Sequence, residues 1–351
     1  MNRSFPLRRA ASARPHPVFP CRVLLGAVLL AFGGLAPVQA DDGLVVVGYG
    51  GAGQKAQEVA FFQPFTQQTG IPVVQSEYNG EMARIKVMAD TGHADWDLVQ
   101  VEGPDLARGC DDGLFERLDW QAIGGKQQLI ANAAQVGYDA DRLQQPPASW
   151  ADFWDVQRFP GKRGLRKRAI YNLEFALLAD GVPREQVYPL LATRAGADRA
   201  FAKLGQLKPY IQWWEAGAQP AQWLAAGDVV MTSTYTGRIA DAHRAGRNLA
   251  LVWPGSLYGM DYWAVVKGSK RGAEARRFIA FANAPDAQVR YVENIPYGPT
   301  NRQAAQRLPA QLASWVPTAP ANLEQGLAMD DEFWVEHGEE LEERFNAWAS
   351  Q

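Results

Sequence analysis

The chain is short of the side chains that carry covalent and metal chemistry. It has only two cysteines among 351 residues, Cys21 and Cys110. Cys21 falls in a leader-like N-terminus, so Cys110 is alone and no internal disulfide is expected. Its histidines are His16, His93, His243 and His337. They stand at no metal-ligand spacing, and no metal or cofactor is expected. No Gly-x-Ser-x-Gly elbow of a serine hydrolase occurs. Positive charge is also scarce. The chain carries a net −3, and five of its arginines but none of its acids lie within residues 1–40, leaving −8 for the remainder. Nucleic acid and anionic membrane are therefore poor partners.

The first 40 residues differ in texture from the rest. Arg3, Arg8, Arg9, Arg14 and Arg22 precede or adjoin an apolar run, VLLGAVLLAFGGLA, followed by PVQA at 37–40. This is the pattern of a secretory signal peptide, with cleavage expected after Ala40. The run is short for a membrane span. The Arg8-Arg9 pair lacks the apolar residues expected after a twin-arginine signal. Cys21 precedes the apolar run, unlike a lipoprotein cysteine. A periplasmic protein is the expectation.

Past the leader, LVVVGYGGAG reads as a buried strand ended by glycines. QKAQEVAFFQPFTQQTG then reads as a helix capped by Gly70. IPVVQSEY, GEMARIKVMAD and WDLVQVEG continue as strand, helix and strand. This βαβαβ order predicts a parallel sheet with helices on both faces, and ligands at its carboxyl strand ends. GYGGAG is taken as a tight turn or a close backbone approach rather than a nucleotide site. It lacks the Lys-Ser/Thr of a phosphate loop, and an exported protein meets little ATP.

QQPPASW, near residue 146, reads as a connector, and SWADFWD as a helical turn with Ser149 as cap. FPGKRGLRKRA reads as a basic loop, either solvated or docking a membrane partner. IYNLEFALLADG is a helix closed by Gly181. Further helices and the strands VVMTSTYTG, LALVWPGS and DYWAVVKGS follow, and the tail from Pro317 is helical with an acidic face. The expected class is α/β with two lobes, each a mostly parallel sheet flanked by helices. Lobe 1 is placed at 41–135 and 257–310, and lobe 2 at 136–256 and 311–351, with a hinge between them.

Eleven tyrosines and 12 tryptophans are many for this length. Most belong to core packing, but Tyr49, Tyr171, Trp213 or Trp214, Tyr235, Tyr258 and Tyr297 fall at strand ends or helix starts. Aromatic faces there can cover a methylene stem or an organic ammonium. Asp261, set between Tyr258 and Trp263, costs energy in such surroundings unless a partner meets it.

The ordered set FTQQTGIPV, WDLVQVEG, SWADFWD with PGK, AGDVVMTSTYTGR and YVENIPYGPTN resembles the polyamine-type branch of periplasmic substrate-binding proteins of ABC importers. The resemblance covers nearly all of the chain past the leader. It implies a type II-like two-lobed binding fold of the Venus-flytrap kind, closing on a small ligand. It also implies a non-enzymatic role and ABC permease subunits as partners; a monomer is expected. It carries Tyr235, Asp261 and Tyr297 over as pocket residues, with Asp261 holding an amine. Two acids of the polyamine binders fall on Ala169 and Asn172 here, and a tryptophan falls on Gly259. Tyrosine-based iron binders share the general fold but use adjacent tyrosines, which this chain lacks.

The site chemistry is similar to that of the branch's 4-aminobutyrate-binding subgroup, which has an arginine and an aspartate 23 residues apart, as Arg238 and Asp261 are. Arginine suits a carboxylate and aspartate an ammonium. The expected ligand is thus 4-aminobutyrate or a related ω-amino acid. Arg238 and Asp261 would hold its ends. Tyr49, Tyr171, Trp214, Tyr235 and Tyr297 would wall it, with Glu102 aiding the amine. The alternatives are a polyamine or opine ligand and, from another class, a secreted hydrolase using two carboxylates. Arg238 could also be a surface residue or pair with Asp241 or Asp261, and Glu102 could lie on the rim.

Overall fold

The computed structural model describes residues 43–121, 123 and 128–351. The expected signal peptide at 1–40 and its cleavage point lie outside the described residues. The strands are β1 (Leu44–Gly48), β2 (Val73–Glu77), β3 (Leu98–Glu102), β4 (Gln128–Asp139), β5 (Arg163–Arg166), β6 (Ile211–Trp214), β7 (Met231–Tyr235), β8 (Leu249–Val265), β9 (Gly298–Pro299) and β10 (Leu327–Ala328). They run in the order β2-β1-β3-β8-β4-β7-β5-β6, with β9 on β4 and β10 on β8. β1 lies parallel to β2 and β3, and β5 lies parallel to β6 and β7. The long strands β4 and β8 pair antiparallel between these two groups.

Each group is covered on both faces, which explains its continuous apolar runs. In the first lobe Leu44, Val46 and Leu98 pack with Phe61, Phe65 and Phe278 on one face. Val47, Val99 and Val101 pack with Ile85 and Met88 on the other. In the second lobe Val136, Leu165 and Met231 join Phe153, Phe175 and Phe201, and the C-terminal helix Asp331–Ala349 adds Phe333, Trp334, Leu341 and Phe345 to this core. Leu224, Val229, Ile239 and Leu249 cover the opposite side.

Local chemistry places the ends of these elements. Gly70 closes the helix Gln63–Thr69 with φ 73°, a left-handed cap that favours glycine. Ser149 caps Trp150–Trp154, its hydroxyl accepting from the Asp152 amide, while Asp152 accepts from the Ala148 amide. The first long helix is not uniform: a five-residue π turn, Glu58–Phe62, separates Gly51–Gln57 from Gln63–Thr69.

Three features depart from the sequence reading. LALVWPGS and DYWAVVKGS form one strand, β8, with a register shift around Pro254 and Gly255, where Gly255 has φ 74°. A bulge lets a proline sit within a paired strand. The basic run at 162–168 is no solvated loop. Arg163 is fully buried in β5 and donates to the carbonyls of Phe153, Gly161, Asp155 and Phe159. Finally, β4 escaped notice because its described core, Ala131 to Val136, is rich in small and amide residues and lacks β-branched alternation.

Candidate functional site

The cavity follows from the topology. Tyr49 succeeds β1, while Glu102, Arg166, Trp214 and Tyr235 are the last residues of β3, β5, β6 and β7. All five line one cavity, together with Arg238, Asp261 and Tyr297. This is the carboxyl-end position expected of open α/β sheets. Of the eight sequence candidates only Tyr171 does not line it. Tyr171 stands behind the wall, donating to Glu102 Oε1 at 3.2 Å and meeting Tyr235 edge-on. Of the two adjacent tryptophans, Trp214 faces the cavity, while Trp213 packs on Phe345 and Trp348 of the C-terminal helix.

Asp261 is buried and lies directly opposite Glu102 across the β3–β8 pair. Like charges in that position repel, and the two acids are compensated in different ways. Glu102 accepts from Arg166 Nη1 at 2.9 Å and from the hydroxyls of Tyr171 and Tyr235, with Arg168 3.6 Å away. Burial alone would raise its pKa, but the Arg166 and Arg168 guanidiniums outweigh burial and hold it below the usual range. Glu102 is therefore neither a rim residue nor a free acid for an amine.

Among the described residues no cation pairs with Asp261, and the Arg166 guanidinium acts on it only from a distance. Its carboxylate accepts only from two amides, Gln100 Nε2 and Asn132 Nδ2. Burial first, and the facing Glu102 second, push its pKa up to about 8. A cation placed at this carboxylate would reverse that shift.

Arg238 stands in the first turn of the helix Thr236–Arg244, 7% exposed. It is neither a surface residue nor paired with Asp241 or Asp261. Its Nη2 donates to the carbonyl of Gly50 at 2.9 Å, while Nε and Nη1 are buried with no hydrogen-bond partner. The Tyr297 hydroxyl stands close enough for the guanidinium to offset part of its upward pKa shift, without hydrogen-bond geometry.

The glycine turn after β1 now has a reason. Gly48, Gly50 and Gly53 stand at the G-x-G-x-x-G spacing of a dinucleotide fingerprint, so the spacing by itself leaves a nucleotide open. The structure argues against one. A Cβ on Gly51 would lie 2.4 Å from Arg238 Nη1. The backbone approach that glycine permits is to this protein's own arginine, not to a pyrophosphate.

Several lining residues were not read from the sequence. Arg166 sits among the rings of Tyr171, Trp214 and Tyr235, 5.8–5.9 Å from their centroids. Its signal was positional: the second lobe's alternation of elements wanted a strand between Trp150–Trp154 and the helix Asn172–Ala179. Gln57, Gln100 and Asn132 also line the cavity. Gln100 was legible as the residue two before a strand-end acid, on the same face. Asn132 lay in the unrecognised β4.

The sequence matches the family described as bacterial extracellular solute-binding protein over residues 60–322. The chain belongs to that family. It is 55% identical over 334 residues to the gamma-aminobutyric acid-binding protein of Pseudomonas aeruginosa, covering 92% of this chain and 95% of that protein. It also resembles the solved Atu4243-GABA receptor, with TM-score 0.77 and 32% identity over 88% of this chain and 97% of that one. The binding protein AgtB from A. tumefaciens R10, solved with agropinic acid, has TM-score 0.82 and 29% identity over 89% and 99%. The two-lobed fold of these structures is the fold of this solute-binding protein. Its family role is to present a small solute to a membrane importer outside the cytoplasm.

Gly51→Ala tests the packing of Arg238 against the turn. Gly51 has φ 58° and Gly70 has φ 73°, but a Cβ at Gly70 would meet nothing within 4 Å. Gly70→Ala should cost about 1 kcal/mol from backbone strain alone. Gly51→Ala should cost clearly more in urea denaturation. Equal costs would mean that Arg238 yields freely.

Proposed function

We propose that this protein is the periplasmic receptor of an ABC importer for 4-aminobutyrate or a close ω-amino acid such as 5-aminovalerate. The observation that carries the reading is the split of unsatisfied groups in one buried cavity. Arg238 offers two nitrogens, Nε and Nη1, whose N–H groups have no acceptor among the described residues, and Asp261 offers a carboxyl group with no cation paired to it there. Buried groups of this kind are costly unless something completes them. A linear zwitterion completes both: its carboxylate meets the guanidinium fork and its ammonium meets Asp261. Tyr49, Trp214, Tyr235 and Tyr297 wall the space where the methylene stem would lie.

A diamine fits poorly, because one ammonium would face the unpaired N–H groups of Arg238. The chemistry named for the Pseudomonas aeruginosa relative and for the Atu4243-GABA receptor supports the same ligand class. The agropinic acid bound to AgtB keeps an opine as the second reading.

Glu102 and Arg166, bridged by the Tyr235 hydroxyl, would act as an interlobe clasp, while the Tyr235 ring faces the stem. The hinge would run through β4 and β8, between lobe 1 at 41–135 and 257–310 and lobe 2 at 136–256 and 311–351. The chain would be exported by residues 1–40 and act as a monomer without catalysis.

Arg238→Ala should weaken 4-aminobutyrate binding by about 2–5 kcal/mol in titration calorimetry, the cost of removing one partner of a desolvated charge contact. Retained affinity would place the ligand elsewhere.

The pH dependence has a definite sign. With a pKa of about 8 in the empty site, Asp261 holds a proton at neutral pH. An entering ammonium needs the carboxylate, so binding releases that proton. Affinity should rise with pH, by up to about tenfold per unit, and level off above about 8. Calorimetry in buffers of different ionisation enthalpy should show release approaching one proton at pH 6.5. Affinity that is flat from pH 6 to 8, with no proton release, would contradict the assignment of the amine to Asp261.

A further inference from the structure

The amides around Asp261 form a chain whose direction is fixed by chemistry. Once an ammonium binds and Asp261 gives up its proton, the ionised carboxylate only accepts hydrogen bonds. Gln100 and Asn132 must therefore turn their NH2 groups to it, as they do. The carbonyl oxygen of Gln100 then faces away and accepts from Gln57 Nε2 at 2.8 Å. Two carbonyl oxygens are left over at the ends of this chain, Gln57 Oε1 and Asn132 Oδ1. Both are buried in the cavity wall and neither has a hydrogen-bond partner of good geometry among the described residues, although the Tyr291 hydroxyl lies near the Gln57 amide.

Their neighbourhood is built to keep them there. A Cβ on Gly48 would meet Gln54 Oε1 at 2.9 Å, Gln57 Oε1 at 3.3 Å and Gln100 Oε1 at 3.4 Å, so glycine makes room for all three amides. Gln57 is also the last residue before the π turn Glu58–Phe62, a feature that often marks functional positions.

Resting on the ω-amino acid reading above, we infer that Gln57 and Asn132 are specificity-determining residues that select a primary ammonium by accepting two of its three N–H groups, while Asp261 accepts the third. A primary ammonium has three donors and finds three acceptors here. A singly methylated amine leaves one carbonyl oxygen orphaned, a doubly methylated amine leaves two, and a quaternary ammonium satisfies none. Each orphaned oxygen carries the penalty of a buried unpaired group. Gln100 touches no ligand in this arrangement. It is a positioning residue, setting the polarity of the chain between Asp261 and Gln57.

The test is titration calorimetry of the purified protein and its Gln57→Met variant with 4-aminobutyrate and its N-methyl, N,N-dimethyl and N,N,N-trimethyl derivatives. Wild type should lose about tenfold in affinity for each N–H removed. Methionine matches glutamine in volume but offers no carbonyl oxygen. Gln57→Met should bind 4-aminobutyrate about tenfold more weakly and the N-methyl ligand about as well as wild type, closing the gap between the two. A variant that melts like wild type yet keeps the full gap would overturn the inference, leaving pocket volume as the discriminator. A wild type that binds the dimethyl ligand as well as the primary amine would overturn it without any variant. A wild type silent to both 4-aminobutyrate and 5-aminovalerate would overturn the ω-amino acid reading itself.

Discussion

The site is organised by two carboxylates that face each other across one pair of strands. Glu102 and Asp261 are opposed on β3 and β8, in a wall where neither is solvated. Such a pair cannot be left bare. The second lobe supplies Arg166 and Arg168 to one member. The other receives only neutral amides from Gln100 and Asn132. A protein built only for stability would have paired both acids or used neither. The unequal treatment leaves one buried carboxyl with no cation paired to it among the described residues, in a cavity that Arg238 also lines.

The same arrangement ties the lobes to the site. Glu102 belongs to the first sheet group, while Arg166 and Tyr235 belong to the second. Arg238, at the start of a helix in the second lobe, reaches the Gly50 carbonyl after β1. Contacts that complete the cavity are thus also contacts between the two groups of strands. The positive φ of Tyr171 (74°), the only non-glycine with that conformation among the described residues, fits here as well. Its turn sends the phenol to Glu102 rather than into the cavity, and Asn172 then donates to the carbonyls of Arg166 and Arg168. Strain of this kind persists where surrounding contacts over-determine it.

The parts of this design that follow a period or an end signal were legible in the sequence. The alternation of strands and helices, Gly70 as a cap, and the strand-end aromatics Tyr49 and Tyr235 could be read directly. So could Asp261 as an acid out of place among rings. What escaped was set by long-range pairing. Arg163 and Arg166 look like surface charge in KRGLRKR, and only the carbonyls of 153–161 and the Glu102 carboxylate, about 60 residues upstream of Arg166 in sequence, make them interior. β4 escaped because its small residues carry no pattern of their own and take their form from β8 and β7 on either side. The amide relay escaped because Gln and Asn are common on surfaces, and only an acid at its centre gives them direction. Tyr171 was placed in the right region but on the wrong side of Glu102, since one positive φ at the helix start turns the side chain in a way no spacing rule anticipates.

The central claim is that Arg238 and Asp261 remain apart to grip opposite ends of one ligand. Titration calorimetry of the purified, ligand-stripped protein against 4-aminobutyrate, 5-aminovalerate, putrescine and spermidine tests it most directly. The account predicts saturable one-to-one binding of an ω-amino acid, with both polyamines silent. Tight binding of putrescine or spermidine with the ω-amino acids silent would contradict it, because an ammonium would then be tolerated beside the unpaired guanidinium of Arg238.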